Sequence, residues 1–177
     1  MSNTRTSITT RQQLIDHTIK EWNRFVAFID RLSEDQWTTP RDGAGWSVKD
    51  HVSHVTRWDI AVIELFCNGV PMCQTLGISD SVWSAEDYEP LNEQIRQGTI
   101  DDSVKTVKSD RDVTWSDLVA LLHEMSDDQL SRPAAGSGLN VSDTPPSTVL
   151  QTFVEYLGGH YRAHLGYIRN IHGGQTG

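Results

Sequence analysis

Cysteine is almost missing from this chain: Cys67 and Cys73 are the only two among 177 residues. Their spacing fits neither a C-x-x-C motif nor a zinc knuckle, and two thiols build no disulfide framework. They read as reduced thiols of a cytoplasmic protein. Long apolar runs are missing too, and nothing approaches the roughly 20 residues of a membrane-spanning helix. Residues 1–11 are polar and lack the apolar core of a signal peptide. Positive charge is scarce, with 15 Lys and Arg against 24 Asp and Glu and a formal charge of −9. With no basic cluster, that balance argues against a nucleic-acid groove or an anionic membrane surface as partner. A chain of this length can bury a proper core, so residues 1–177 are expected to form a single domain.

What the chain has is helical periodicity. Thr10 and Gln13 form a capping box, and Ile15, Ile19, Trp22, Val26 and Ile29 then repeat at spacings of three and four. His17 faces away from that stripe and is expected in solvent. Ser47, with Asp50 three residues on, caps a second helix whose stripe runs through Val48, Val52, Val55, Val62 and Phe66. His51, His54 and Asp59 also fall towards its apolar side, and a carboxylate there calls for a partner. Residues 69–90 read as an irregular loop, the wall or lid of a site or else a structural linker. A third helix is expected over residues 100–125, with a possible break at 110–114 where Thr114 and Asp117 resemble a second cap. His123 lies off its stripe. The last helix is expected over residues 144–171, opened by Thr144 as cap and Pro145 in the first turn.

Within that last helix, His160 and His164 stand four apart, which puts both imidazoles on one face. They lie inside the stripe of Leu150, Phe153, Leu157, Tyr161, Ile168 and Ile171, opposite Glu155, Arg162 and Arg169. A buried imidazole without a partner is costly, so each ring needs a hydrogen bond or a metal. Core histidines bonded to backbone or hydroxyl groups would satisfy the same pattern.

One segment occurs twice. Residues 32–50 align without gaps on residues 125–143, an offset of 93, with Ser, Asp, Gln, Pro, two Gly, Val and the final Asp recurring. The chain therefore looks like two helix–loop–helix halves. The histidines do not follow the repeat, since His54 maps to Ser147 and His160 to Cys67.

If the histidines of helices two and four meet, their registers constrain the topology. His54 lies about 10 Å from the start of its helix, whereas His160 and His164 lie about 10 to 17 Å from the end of theirs. Parallel helices would separate the rings by more than about 10 Å, so the two must be antiparallel. The expectation is an all-α four-helix bundle of up-up-down-down order, with the duplicated loops as long crossovers. Residues 33–46 could span about 46 Å when extended.

Trp46-Ser-Val-Lys-Asp-His-Val-Ser-His54-Val-Thr-Arg-Trp58, followed by His160-Tyr-Arg-Ala-His164, resembles the DinB/YfiT-like superfamily over nearly the whole chain. The resemblance implies an up-up-down-down bundle that binds a divalent metal through one histidine of helix two and two ligands four apart on helix four. The tryptophan eight residues before the first ligand matches Trp46 and His54. It thus implies His54, His160 and His164 as ligands, and His54 rather than His51. Relatives include thiol-cofactor-dependent transferases and mycothiol-dependent maleylpyruvate isomerase. Three imidazoles suit Zn²⁺ or Ni²⁺ first, with iron, cobalt or manganese compatible, and leave positions open for water or a low-molecular-weight thiol. Asp59 could support a ligand, and His51 could carry protons at the pocket mouth or simply pack. The leading expectation is a metal-dependent transferase or hydrolase acting on a small molecule. A non-catalytic binding or sequestration protein and a structural, dimeric bundle are the other two.

Overall fold

The computed structural model describes residues 8–85, 87–139 and 147–173. In chain order its helices are α1 (Arg11–Ile29), α2 (Glu34–Thr38), α3 (Val48–Asn68), α4 (Met72–Leu76) and α5 (Asp80–Trp83). There follow α6 (Tyr88–Gln97), α7 (Val104–Glu124), α8 (Asp127–Ser131), α9 (Val149–Phe153), a π-helical segment (Val154–Gly159) and α10 (His160–Gly173). Among the described residues there is no strand, only isolated bridges between Arg41 and Ser47 and between Pro133 and Thr148. The fold is all-α, as expected. Its frame is α1, α3, α7 and the C-terminal helix made of α9, the π segment and α10.

Each long helix begins at a side-chain cap that satisfies otherwise unpaired backbone N–H groups. Thr10 with Gln13 caps α1, Ser47 with Asp50 caps α3, Ser103 caps α7, and Thr148 with Gln151 caps α9. At its other end α3 stops at Gly69, whose φ of 68° is a left-handed conformation that glycine adopts without a Cβ penalty. Three sequence expectations need correction. The third helix starts at Val104 and runs without a break, because Thr114 is buried in the core and caps nothing. The last helix starts at Val149, while Thr144 and Pro145 lie outside the described residues. The stretch 69–90 is not irregular, since α4, α5 and the start of α6 lie in it.

The duplicated segment folds as a duplicate. α2 and α8 are both five-residue helices with the same capping box, Ser33 with Gln36 and Ser126 with Gln129. Trp37 and Leu130, equivalent in the repeat, are both buried. Trp37 also donates its indole N–H to the Ile29 carbonyl at 3.1 Å, closing the end of α1. The tail of the second copy, residues 140–143, lies outside the described residues.

Core packing settles the directions of the helices. One cluster joins Leu14 of α1, Val62 of α3, Leu122 of α7 and Phe153 of α9. The other joins Ile29, Val48, Val107 and Ile168. The start of α1 and of the C-terminal helix therefore meet the ends of α3 and α7. Helices two and four are antiparallel, as the histidine registers required. Ring pairs along α3 confirm it: His51 with His164, His54 with His160, Trp58 with Tyr156 and Phe66 with Phe153. The order is nonetheless up-down-down-up, not up-up-down-down. Each duplicated loop turns the chain back on itself, one at either end of the bundle, and the long crossover is the α4–α6 segment between α3 and α7. The register argument constrained only helices two and four, and both orders satisfy it.

Candidate metal centre

His54, His160 and His164 converge, each offering a ring nitrogen, with those atoms all within 4.8 Å of one another. α3 supplies the first and α10 the other two, one turn apart. Trp46 packs edge-on against His54, with ring centroids 5.2 Å apart. His54 and His164 are buried, and His160 is partly exposed in the wall of a cavity of about 1110 Å³ that all three line.

Burial holds these rings in the neutral form. It pushes His160 down to about 4, and His54 and His164 well below the usual histidine value, with the neighbouring imidazoles adding to the effect. Neutral imidazoles with free lone pairs are the form in which histidine binds a divalent ion. His54 Nδ1 is buried and has no hydrogen-bond partner among the described residues, so the protein alone leaves the cluster under-satisfied. This donor set fits a divalent metal.

His51 belongs to the same cluster in a different role. Its Nδ1 lies 3.0 Å from His164 Nδ1, and its Nε2 lies 3.1 Å from Asp42 Oδ2. Burial lowers the His51 pKa, against the opposing pull of Asp42, which favours a neutral ring. A carboxylate only accepts, so His51 Nε2 carries the proton it donates to Asp42. His51 Nδ1 is then bare and accepts the proton of His164 Nδ1–H. That leaves the lone pair of His164 on Nε2. Asp42 is itself anchored, its Oδ1 accepting from the backbone N–H groups of Ala44 and Trp46 at 2.9 Å each.

Asp59 has the partner that a carboxylate on the apolar side called for. Tyr161 donates its hydroxyl proton to Asp59 Oδ2 at 2.6 Å, while Asp59 Oδ1 has no partner among the described residues. Complete burial raises the Asp59 pKa to about 8, the Tyr161 bond opposing. The carboxyl is thus mostly protonated at neutral pH and bonds to the residue beside His160 rather than to an imidazole. His123 is exposed, as expected. His17 is not simply solvated: it is partly buried against Gly158, with Nε2 unpartnered. The helical wheel missed this because a π turn, unreadable from spacing, brings Gly158 to the His17 face of α1. Asp42 was also missed. Its only signal was Asp-x-x-x-Trp ahead of a helix cap, which is ordinary turn chemistry.

A profile of the DinB superfamily matches residues 17–168. The chain belongs to the DinB superfamily. Solved structures agree on the fold at low identity. An uncharacterised protein from Escherichia coli UTI89 superposes with a TM-score of 0.72 at 14% identity, covering 96% of each chain. A protein from Streptococcus pneumoniae gives 0.69 at 13%, covering 94% of this chain and 92% of its own. The colibactin self-resistance protein ClbS, in complex with double-stranded DNA, gives 0.72 at 13%, covering 94% and 98%. No curated protein matches the sequence. The ClbS complex overturns the exclusion of nucleic acid drawn from net charge. A DinB-like fold can meet a duplex, and a whole-chain charge of −9 describes the average surface, not a local one. Among the described residues of this DinB protein, no helix is long and apolar enough to cross a membrane.

Proposed function

We propose that this DinB protein is a divalent-metal-dependent enzyme acting on a small molecule, with His54, His160 and His164 as the metal ligands. The observation that carries the reading is the convergence of three neutral imidazoles within 4.8 Å in the wall of a cavity large enough for a substrate. Three imidazoles suit Zn²⁺ or Ni²⁺, and an ion so held keeps open positions, acts as a Lewis acid and lowers the pKa of a bound water or thiol. The chain's own part is to orient and to exclude. His51 and Asp42 fix the His164 tautomer that leaves the Nε2 lone pair free to bind an ion, and Trp46 packs against His54. His51 also lines the cavity, with both ring nitrogens already engaged by Asp42 and His164.

Hydrolysis is favoured over thiol transfer, because no Lys or Arg among the described residues lines the cavity to receive the carboxylates of an anionic thiol. The decisive measurement is the metal content of tag-free protein. One equivalent is expected for the wild type and none for His160→Ala or His164→Ala, because two imidazoles chelate weakly. His123→Ala should keep its metal. Retention of one tight metal in the variant lacking all three ligands would put the site elsewhere. Given the ClbS complex, duplex DNA belongs beside small esters, amides and thiols in the ligand screen.

A further inference from the structure

The cavity beside the histidines has a charge of one sign. Among the described residues five carboxylates line it, and no Lys or Arg does. Three of the five are engaged. Asp42 serves His51 and two backbone amides, Glu93 is held down to about 2 by hydrogen bonds from Arg96 and Gln97, and Glu155 lies 3.7 Å from Arg162. Asp87 caps the Glu89 amide, and neither Asp87 nor Glu89 has an ion pair with any described residue.

Aromatic rings share the same wall. Trp46 and Trp58 stand beside the histidines, and Tyr88 and Tyr167 line the cavity while 60% and 51% exposed. They are two of the four large hydrophobic side chains exposed among the described residues, so aromatic surface in water is concentrated at this opening. A second feature points to an occupant. Trp58, only 7% exposed, lines the cavity with a buried indole N–H that has no partner among the described residues, and His54 Nδ1 is likewise unpaired among them at 4% exposure. A cavity lined by unpaired polar atoms, aromatic faces and uncompensated carboxylates is built to hold something.

We propose that the substrate is a small organic cation, with an ammonium or similar centre held by Asp87, Glu89 and the tyrosine faces and its reacting end at the three histidines. This rests on the reading of the cavity as the substrate site. Carboxylates focus a negative potential inside low-dielectric walls, and ring quadrupoles attract a cation that lies over their faces. A neutral molecule of the same shape gains neither, and an anion is repelled.

The test uses the fluorescence of the wall tryptophans, with and without added Zn²⁺. Choline is titrated against 3,3-dimethylbutan-1-ol, its uncharged counterpart of equal shape, with spermidine as a larger cation and glutathione as an anionic thiol. Choline or spermidine should saturate at a concentration at least about tenfold below that of the alcohol. The Asp87→Asn/Glu89→Gln double variant should bring that ratio to within about threefold without moving the melting temperature, since both side chains are exposed and Asn keeps the cap. Equal or tighter binding of the alcohol or glutathione, no response to either cation, or an undiminished preference in the double variant would each overturn the proposal. Metal content is scored on the same samples. A cation preference in protein that takes up no metal sinks the metal reading alone, and its absence from metal-loaded protein sinks this one alone.

Discussion

At the scale of single residues, proton positions set the expectations. His51 holds His164 by one hydrogen bond and is held by Asp42 through another, so under the proposed function it positions a ligand and is not one itself. His51→Ala should therefore weaken metal affinity by about 10- to 100-fold while leaving one equivalent bound at saturation. A chelator-competition titration reads this directly, and complete loss of metal would make His51 a ligand in place of His54. Asp59 gives a prediction of opposite character. Its folded pKa of about 8 lies above the value in the unfolded chain, so the native state binds the extra proton between about 4 and 8. Its contribution is fully favourable below about 4 and is lost as pH rises through 8. Asp59→Asn should thus be nearly neutral below about pH 4, increasingly stabilising from about pH 4 to 8, and constant in its benefit above that. Melting curves of both proteins from pH 5.5 to 9 would show a gap that widens to about pH 8 and then levels off, and a gap that is constant throughout would mean that Asp59 is ionised in the fold.

At the scale of elements, the π segment decides how the histidine pair is presented. Val154–Gly159 inserts a wider turn immediately before His160, and wider turns of this kind often sit at functional sites. His17 packs into the space left by the missing side chain of Gly158. A Cβ at Gly158 would come within 2.5 Å of His17 Nε2 and 2.6 Å of His17 Cδ2, which forces the ring to move. Gly158→Ala should cost about 1–3 kcal/mol by overpacking, and metal affinity should fall with it because His160 is two residues away. The His17→Ala/Gly158→Ala double variant should recover most of the loss relative to Gly158→Ala alone. Denaturant unfolding of the four proteins forms a double-mutant cycle, and strictly additive effects would show that the two residues do not share this space. The duplicated α2 and α8 belong to this scale as well. The sequence showed that the two segments repeat but took both for loops, and the short helices with their capping boxes and buried Trp37 and Leu130 came from the fold.

For the whole molecule, the stability of the metal-free protein should pass through a maximum near pH 6.5. His17, His51, His54, His160 and His164 all have pKa values lowered chiefly by burial. Their contribution is present above the ordinary histidine value and is lost as pH falls towards the folded values, His160's being about 4. Asp59 pulls the other way over the same range but is one group against five, so the acid limb belongs to the histidines. Each titrating group contributes a slope of at most about 1.4 kcal/mol per pH unit. A bound divalent ion would shift the acid limb lower, because protons must then compete with it for the same lone pairs. Urea unfolding at several pH values, with and without Zn²⁺, measures both effects, and a curve that keeps rising below pH 6 would contradict the burial of these rings.

Much of this protein followed from the sequence alone. Helical periodicity put His54, His160 and His164 on apolar faces, caps at Thr10 and Ser47 marked two helix starts, and histidine register made helices two and four antiparallel. All of these are consequences of the fixed rise and rotation of an α-helix, which operate over a few neighbouring residues. The path between the helices did not follow, because a loop of 14 residues can either cross a bundle or fold back, and its length permits both. Packing chose, burying Trp37 and Leu130 under hairpin turns and leaving α4–α6 to make the crossing. The partners of the polar core were equally hidden. Asp42 reaches His51, Tyr161 reaches Asp59, and His17 reaches Gly158 only once helices distant in sequence are side by side, since those contacts depend on interhelical positions that no local pattern encodes.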